Sequence, residues 1–462
     1  MIQITRSLAR ELKTIFRRAI TDTGRGSVHI PILFHAGPEG LRIRIASSEV
    51  AAEYHDPKPR ESDEAIVPFK SLGDWEGRAD DPIQLEATGG NEVLATWNDN
   101  SVPQMVRYAM PEVPCPFPDI PASLTDNPPE LAMSLHDTMQ TAAPESTRYA
   151  LQCVQLRGSG TIVATDGSQM LLETGFDFPW DEDLMIPRRT VFGSGELPHG
   201  SNVQVGKSDD WVCFRMGCWS FFFAISKEGR FPDVESCVRD IASAAASVQI
   251  DSHDAAFLVK SIKQLPGDDA YNSPVTVDAN GSVFIRSKSE DAPNPVELLL
   301  SNSTRTGQPE RINTNRMFLR RALDLGFREI HVFAPDQPLL CVDDRRKYLW
   351  AVLTPSEAIK PSDDAVRISS ALDDAYTTTK TTQFPKETTV AKAEATTAKI
   401  DQPQHAPSST EELIDAAEQL KASLRDTLGK TSELIVGLKR HRREAKIVRT
   451  TLDSLRQLQT VG

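Results

Sequence analysis

The chain has 462 residues, a formal net charge of −14 and a hydrophobic fraction of 39%. This length accommodates about two to four domains, and the low hydrophobic fraction predicts a polar segment beside them. We expect no membrane span and no signal peptide, because long apolar runs are missing. The six cysteines are scattered without zinc-type pairs, so we expect buried thiols in a reducing compartment.

The first predicted helix, residues 6–20, has an apolar face and a basic face. Its apolar residues recur at helical spacing: Leu8, Leu12, Ile15, Phe16 and Ala19. Its basic residues occupy a narrow opposite arc: Arg6, Arg10, Lys13 and Arg17. A basic helix face is usually a solvated surface, but it can also contact phosphates, and an acidic average does not exclude this.

Three kinds of segment recur in the same order at intervals of about 120 residues. The first kind is a strand-like run that begins near residues 41, 161 and 282. The second begins near 65, 184 and 310 and consists of an apolar residue, then Pro or Asn, then a short helical pattern. A predicted β-hairpin then begins near 82, 202 and 329. Loosely similar hairpins in an ordinary α+β protein are the alternative. The common order and period favour three copies of one α+β unit with antiparallel sheets.

The predicted helices concentrate basic residues although the chain is acidic. If the three copies turn their helices to one side, these residues form a positive surface that can hold phosphates without reading bases. The first helix of the second copy, near residue 135, adds no Lys or Arg. The basic residues predicted to form this surface, which become DNA contacts under the resemblance described next, are Arg6, Arg10, Lys13, Arg17, Lys70, Arg188, Arg189, Lys260, Lys263, Arg316, Arg320 and Arg321.

Three stretches resemble a known family: "RYALQCVQLRGSGTIVATDGSQMLL" at 148–172, "LMIPRRTV" at 184–191 and "GRFPDV" at 229–234. With the threefold order, they make residues 1 to about 358 similar to the bacterial sliding clamp, the beta subunit of DNA polymerase III. The resemblance implies an α+β fold of three tandem DNA-clamp-type domains, 1–122, 123–245 and 246–358, with sheets outside and helices lining a pore.

The resemblance also implies a function. Two subunits would close into a homodimeric ring that encircles double-stranded DNA regardless of sequence and tethers a polymerase as a processivity factor. Such a protein has no active site, cofactor or metal, and it works in the bacterial cytoplasm at the nucleoid. The sequence likewise offers no nucleophile with a base, phosphate loop or metal cluster, so we expect no enzyme.

The family's groove for polymerase and clamp-loader peptides lies between the second and third domains. Matched by position, its lining is Leu151, Thr165, Gly167, Ser168, Gln169, Met170, Pro232, Ser236, Cys237, Ala351, Val352, Leu353, Thr354 and Pro355. Ser168 and Gln169 replace basic or aromatic residues, and "LTPSEA" replaces a Met-rich ending, which predicts a changed ligand. "TDGS" alone is also typical of an ordinary turn.

The family's ring interface joins the first domain to the third. The corresponding residues are Met105, Arg107, Gln264 and Leu265, so half of an apolar patch has become polar. These departures fit a divergent paralogue, with a role in replication or repair, at least as well as a main replicative clamp.

The last hundred or so residues have no counterpart in the family. Residues 377–409 are rich in Thr, Ala, Lys and Pro and have few large apolar residues, and we expect a disordered linker over 359–409. Residues 410–460 contain a heptad pattern that predicts a coiled coil or a helical hairpin, with a basic cluster at 439–446. That cluster is either a solvated face or a contact with DNA or a partner. An alternative function is therefore a clamp-fold adaptor or regulator that acts through its C-terminal helices.

Overall fold

A computed structural model describes residues 1–20, 30–88, 92–109, 116–146, 148–227, 229–268, 272–290 and 294–370. The predicted linker beyond residue 370 and the predicted coiled coil at 410–460 lie outside the described residues. None of the described helices is long and apolar enough to cross a membrane. The predicted domain boundaries at 122, 245 and 358 stay predictions, and we use the term repeat unit for each of the three groups of elements below.

The first repeat unit is built on the predicted amphipathic helix. That helix buries Leu12, Ile15 and Phe16 completely, and the Thr5 hydroxyl accepts a hydrogen bond from the Leu8 amide at its start (3.2 Å). The elements are β1 (Ile2–Thr5), α1 (Arg6–Ile20), β2 (Pro31–Gly37), β3 (Gly40–Ala46), β4 (Val50–Asp56), β5 (Asp63–Pro68), α2 (Ser71–Trp75), β6 (Pro82–Thr88), β7 (Glu92–Asp99) and β8 (Val102–Ala109).

The second repeat unit has the same order of elements, but its second helix is reduced to one 3₁₀ turn at Val191–Gly193. The short helical pattern predicted after "LMIP" is thus realised as less than a full α-helix. The elements are β9 (Thr125–Asn127), α3 (Glu130–Thr141), β10 (Cys153–Arg157), β11 (Thr161–Thr165), β12 (Gln169–Glu173), β13 (Asp183–Pro187), β14 (Val203–Lys207), β15 (Trp211–Met216) and β16 (Trp219–Ala224).

The third repeat unit has two helices that begin at side-chain caps. Asp251 accepts a hydrogen bond from the His253 amide, and Asn315 accepts one from the Met317 amide, each at 2.8 Å. The elements are β17 (Ala246–Gln249), α4 (Ser252–Ser261), β18 (Pro274–Asp278), β19 (Val283–Ser287), β20 (Val296–Leu300), β21 (Thr304–Gly307), β22 (Arg311–Asn315), α5 (Arg316–Asp324), β23 (Glu329–Val332), β24 (Leu339–Val342) and β25 (Arg346–Trp350).

One more strand, β26 (Val366–Ser369), lies in the region that the sequence assigns to the linker. The chain after β25 is bound by the sheet on its way there: the Leu353 amide donates to the Asn313 carbonyl oxygen, and the Ile359 amide donates to the Thr276 hydroxyl, each at 2.8 Å. The prediction of a disordered linker is therefore wrong for residues 359–370, because backbone pairing rather than apolar content orders this stretch.

Each repeat unit contributes two antiparallel layers built on four strands in the same order, and the third unit adds β21 beside β17 and β26 beside β20. One layer is β1-β6-β7-β8, β9-β14-β15-β16 or β17-β23-β24-β25, and the other is β5-β2-β3-β4, β13-β10-β11-β12 or β22-β18-β19-β20. Strand β4 pairs with β16 and joins the first two units, which we call the first junction. Strand β12 pairs with β25 and joins the last two, which we call the second junction. The predicted threefold order is present in the topology.

The apolar core runs without a break through the first two repeat units. Phe16 of α1 meets Trp219 of β16 edge to face, with ring centroids 5.9 Å apart. The third unit has its own core around Tyr348 and Trp350. A smaller cluster at the second junction includes Phe231 and Val234 of the "GRFPDV" stretch, so that motif fixes the loop that leaves the second unit.

Candidate nucleic-acid interface and partner groove

The helices of the three repeat units form one row. Within the units, α1 packs on α2, the turn Val191–Gly193 packs on α3, and α4 packs on α5. Between units, Arg18 donates to the Gly193 carbonyl oxygen at 2.9 Å, and Arg321 donates to the Thr141 hydroxyl at 2.9 Å. The order along the row is therefore α2, α1, Val191–Gly193, α3, α5, α4, a continuous helical surface on which cations from different units can act together.

Some of the predicted DNA contacts are exposed on this row. They are Arg10, Arg17, Lys70, Lys260 and Lys263. Arg10 lies 3.8 Å from Glu196, and both side chains are largely solvated, so this pair is weak. Lys13 is half-buried and bonds to Glu76 at 2.8 Å. The exposed cations come from the first and third units, one at each end of the row.

Two arginines do not belong among the predicted DNA contacts, because their N–H groups donate hydrogen bonds within the protein. Arg316 is 5% exposed and donates to the carbonyl oxygens of four surrounding residues: Leu265, Pro266, Ser273 and Pro274. Burial lowers the pKa of its guanidinium. The Arg6 side chain bonds the carbonyl oxygens of Trp75, Glu76 and Asn98 and pairs with Asp99 at 2.8 Å. Neither guanidinium is available to phosphate.

Four further arginines of the predicted set hold elements together. Arg188 donates to the Met139 carbonyl oxygen at 2.8 Å, and burial lowers its pKa. Arg189 pairs with Glu49 across the first junction at 2.6 Å. Arg320 donates to the Val259 carbonyl oxygen at 3.2 Å, and Arg321 bonds to α3 as described above. These half-buried groups add positive charge to the region, but their hydrogen bonds are engaged in the fold.

The middle of the row is acidic. Helix α3 carries Glu130 and Asp137 and no Lys or Arg, as the sequence predicts. Burial raises the pKa of Asp137 and also that of Glu173, which lies beneath the helix on β12. Helix α3 itself therefore adds no cation between α1 and α4, and the positive charge around it comes from half-buried arginines of other elements.

The first wall of the predicted partner groove is the turn between β11 and β12. Gly167 has φ = +93°, a conformation that favours glycine. Asp166 accepts hydrogen bonds from the Ser168 amide at 2.7 Å and the Gln169 amide at 2.9 Å, which is an Asx turn. Asp166 is not among the predicted groove residues, but its carboxylate builds the turn of which "TDGS" is typical.

The same turn is held to the third unit. The Ala351 amide donates to the Ser168 carbonyl oxygen at 2.8 Å, and the Tyr348 hydroxyl donates to the buried Gln169 side chain at 2.7 Å. Thr165 is buried as well, and its hydroxyl donates to the Gln169 carbonyl oxygen. Gln169, predicted as groove lining, thus links the two units.

The second wall follows β25. Val352 pairs with Thr314, and the Asn313 side chain donates to the Thr354 carbonyl oxygen at 3.1 Å. Leu353 and Val352 are half-buried, whereas Ala351, Thr354 and Pro355 are exposed. Strand β22 therefore fixes the course of this segment beside the turn.

The third wall is the "GRFPDV" loop, whose two faces differ. Phe231 and Val234 are buried with Met170, while Pro232, Ser236 and Cys237 are exposed. Cys237 departs from the expectation of a buried thiol, and Met170, at 2% exposure, cannot contact a peptide without moving. Leu151 is half-buried and approaches the position that a Cβ on Gly167 would take (3.9 Å).

The four predicted interface residues are placed in two different ways. Met105 is 69% exposed on β8, and Arg107, also exposed there, lies 3.7 Å from Glu92. Gln264 is exposed after α4. Leu265 is buried in the core of its own unit, which takes it out of a surface patch. Among the described residues, no cluster of His, Cys, Asp and Glu has the arrangement of a metal site.

Comparisons with known proteins agree on the fold. No protein-family model and no curated protein matches the sequence. A DNA polymerase III beta chain from Streptococcus pneumoniae is similar at 15% identity and a TM-score of 0.63, covering 76% of this chain and 99% of that one. A sliding clamp from Bacillus subtilis is similar at 15% identity and a TM-score of 0.63, covering 76% of this chain and 98% of that one. A DNA polymerase III beta subunit from Pseudomonas aeruginosa is similar at 16% identity and a TM-score of 0.61, covering 76% of this chain and 99% of that one. The protein therefore has the fold of the bacterial DNA polymerase III beta sliding clamp.

Proposed function

We propose that two copies of this chain form a ring around duplex DNA and that the ring slides without reading sequence. The observation that carries the proposal is the single helix row, with Arg10 and Arg17 near one end and Lys260 and Lys263 near the other. Lysine and arginine side chains on such a surface attract phosphates of any sequence. The clamp fold supports the same function.

We further propose that the ring is a non-enzymatic platform for a DNA polymerase or another replication or repair factor. The groove at the second junction would take a short peptide of that factor or of a clamp loader. Its exposed surface is polar at Ser168 and Ser236, so the preferred peptide differs from one that fits a Met-rich pocket. The protein would act in the bacterial cytoplasm at the nucleoid.

An adaptor that uses the clamp fold without encircling DNA is the second candidate. It is favoured by the number of predicted phosphate contacts that the fold engages, from Arg6 to Arg321, and by the acidic middle of the row. In that case residues 410–460 would carry the partner contacts.

Retention on DNA of different topology separates these two candidates. The full chain is mixed with nicked circular DNA and with the same DNA linearised, and protein that co-elutes with DNA in gel filtration at moderate salt is measured. We expect retention on the circle, loss from the linear form by sliding off its ends, and recovery when bulky groups block both ends. Equal retention on open linear and circular DNA would favour the adaptor.

A further inference from the structure

The internal repeat predicts where a third junction would form. In the first junction β4, the last strand of one layer, pairs antiparallel with β16, the last strand of the other layer in the next unit. In the second junction β12 pairs with β25 in the same way. The strands at the same places that remain are β20 of the third unit and β8 of the first. A second copy that continues the repeat would therefore lay its β8 against β20.

Strand β20 has no open edge in this structure. One edge pairs with β19, and the other pairs in parallel with β26 over residues 296–299 and 366–369. Strand β8, in contrast, pairs only with β7 within the described residues, and Val102 and Met105 on it are exposed. The edge that the repeat assigns to a second copy is thus taken by the same chain.

Polar contacts hold β26 in place. Arg367 bonds to the buried carboxylate of Glu297 at 2.9 Å, and the Ser370 hydroxyl donates to Asp254. The Ser370 amide donates to the Leu299 carbonyl oxygen at 3.0 Å. The side chains of Val366 and Ile368 remain 52% and 45% exposed, so apolar burial contributes little to the docking.

Release of β26 leaves each of its two buried carboxylates with at least one other hydrogen-bond donor. Glu297 keeps its hydrogen bond from Arg286 at 2.6 Å. Asp254 keeps the Asn302 amide at 2.9 Å and the Ser303 hydroxyl at 2.6 Å. Losing a partner is costly mainly when a buried group is left without any, so this strand is inexpensive to displace.

We propose that β26 and the β8 strand of a second copy compete for the same edge of β20, so that residues 366–370 must leave before two copies close a ring. The inference rests on the proposed ring. Strand β20 has five residues, and the first and second junctions each pair five residues antiparallel, against the four that β26 pairs in parallel, so β8 is a suitable replacement.

A reversible disulfide tests the competition directly. The hydroxyl oxygens of Ser301 and Ser369 lie 2.6 Å apart, so Ser301→Cys with Ser369→Cys in the full chain places two sulfurs at bonding distance and locks β26 when oxidised. The readout is amide hydrogen exchange of residues 102–109 over a range of protein concentrations, together with the molecular mass. Exchange of β8 reports this junction even if the C-terminal helices associate on their own.

The amides of 102–109 that do not bond to β7 report the junction. We expect these amides to exchange rapidly in the oxidised variant at every concentration and to become protected in the reduced variant as concentration rises. Arg367→Glu, which places a carboxylate beside Glu297, should give protection at about tenfold lower concentration than the parent chain. Lys360→Glu makes the same charge change on an exposed residue of the same segment and should match the parent.

Equal protection in the oxidised and reduced variants would overturn the competition while leaving the ring intact. Rapid exchange of 102–109 in every variant at every concentration would overturn the ring itself, and the competition with it.

Discussion

Arginine in this protein serves the fold more than the surface. A guanidinium presents several donors in a fixed plane and is less strongly hydrated than an ammonium, so it bonds clusters of carbonyl oxygens well. Arg316 and Arg321 do so at the ends of helices and between repeat units. On the predicted helix faces, Lys260 and Lys263 remain exposed. Counting basic residues along the sequence therefore overestimates the cations that can contact DNA.

Glu173 is a buried carboxylate at the second junction. It is 4% exposed; Ser134 donates to Oε2 at 2.6 Å, and Oε1 has no hydrogen-bond partner. Burial raises its pKa in the folded state above the unfolded value. The protonated form is therefore favoured by folding, and the stability it contributes is present at acid pH and is lost as pH rises through the folded pKa.

Replacing Glu173 with Gln should stabilise the protein at neutral pH, because a neutral amide avoids the cost of the buried charge and still accepts the hydrogen bond from Ser134. The free energy of unfolding, measured with denaturant across pH, should exceed that of the parent at pH 7. The difference should vanish below about pH 4, where the unfolded carboxyl is protonated too. The exposed Glu145→Gln should show no such dependence, and a destabilised Glu173→Gln variant at pH 7 would contradict the argument.

At the scale of elements, the row of helices depends on a close approach in the second unit. Gly193 of the 3₁₀ turn sits against α3, and a Cβ built on it would lie 2.1 Å from Cε1 of His136. The same glycine supplies the carbonyl oxygen that Arg18 of α1 bonds. One small residue therefore allows three consecutive members of the row to meet.

We expect Gly193→Ala to destabilise the chain by about 2 kcal/mol, because the His136 ring and the turn must separate. The matched control is Gly195→Ala, two residues later, where an added Cβ meets no atom within 4 Å. Thermal unfolding at one pH compares the two variants. Equal melting temperatures for the two variants would show that the 3₁₀ turn accommodates the added methyl group at no cost in stability.

At the scale of the whole molecule, a chain with a net charge of −14 must confine its attraction for DNA to a small part of its surface. The exposed cations at the two ends of the helix row are the candidates for that part. Each phosphate that they neutralise releases condensed counterions, which makes the affinity fall with salt in proportion to the number of contacts.

Arg10→Glu combined with Arg17→Glu should weaken DNA binding about equally for unrelated sequences. It should also flatten the slope of log affinity against log salt by about two contacts, measured by fluorescence anisotropy with short duplexes. Lys227→Glu combined with Lys347→Glu changes the total charge equally at two exposed residues that lie on no helix, and should leave the slope unchanged. If the salt slope becomes flatter in both double variants, or in neither, the DNA contacts are not made by Arg10 and Arg17 on the helix row.

The sequence predicts the element order well because that order depends on local periodicity and turns. Contacts between residues that are distant in the sequence are not predicted in this way. Arg316 bonds Leu265, whose carbonyl oxygen lies about fifty positions earlier, and no local pattern announces that contact. Strand β26 pairs with residues some seventy positions earlier, and it lies in the range that the sequence assigns to a linker. The motifs "TDGS" and "GRFPDV" predict where the groove lies, but they do not predict which of its residues are buried.

The unbroken core between the first and second repeat units has a consequence for how this protein folds. Phe16 completes its packing only when Trp219, some two hundred positions later, is in place. A nascent chain that has emerged only through β8 therefore lacks part of its own interior, and the two units must acquire native structure in one cooperative step. The main core of the third unit takes only Leu171 from the second unit, and the smaller cluster at the second junction completes the contact, so the third unit depends less on its neighbour for its interior.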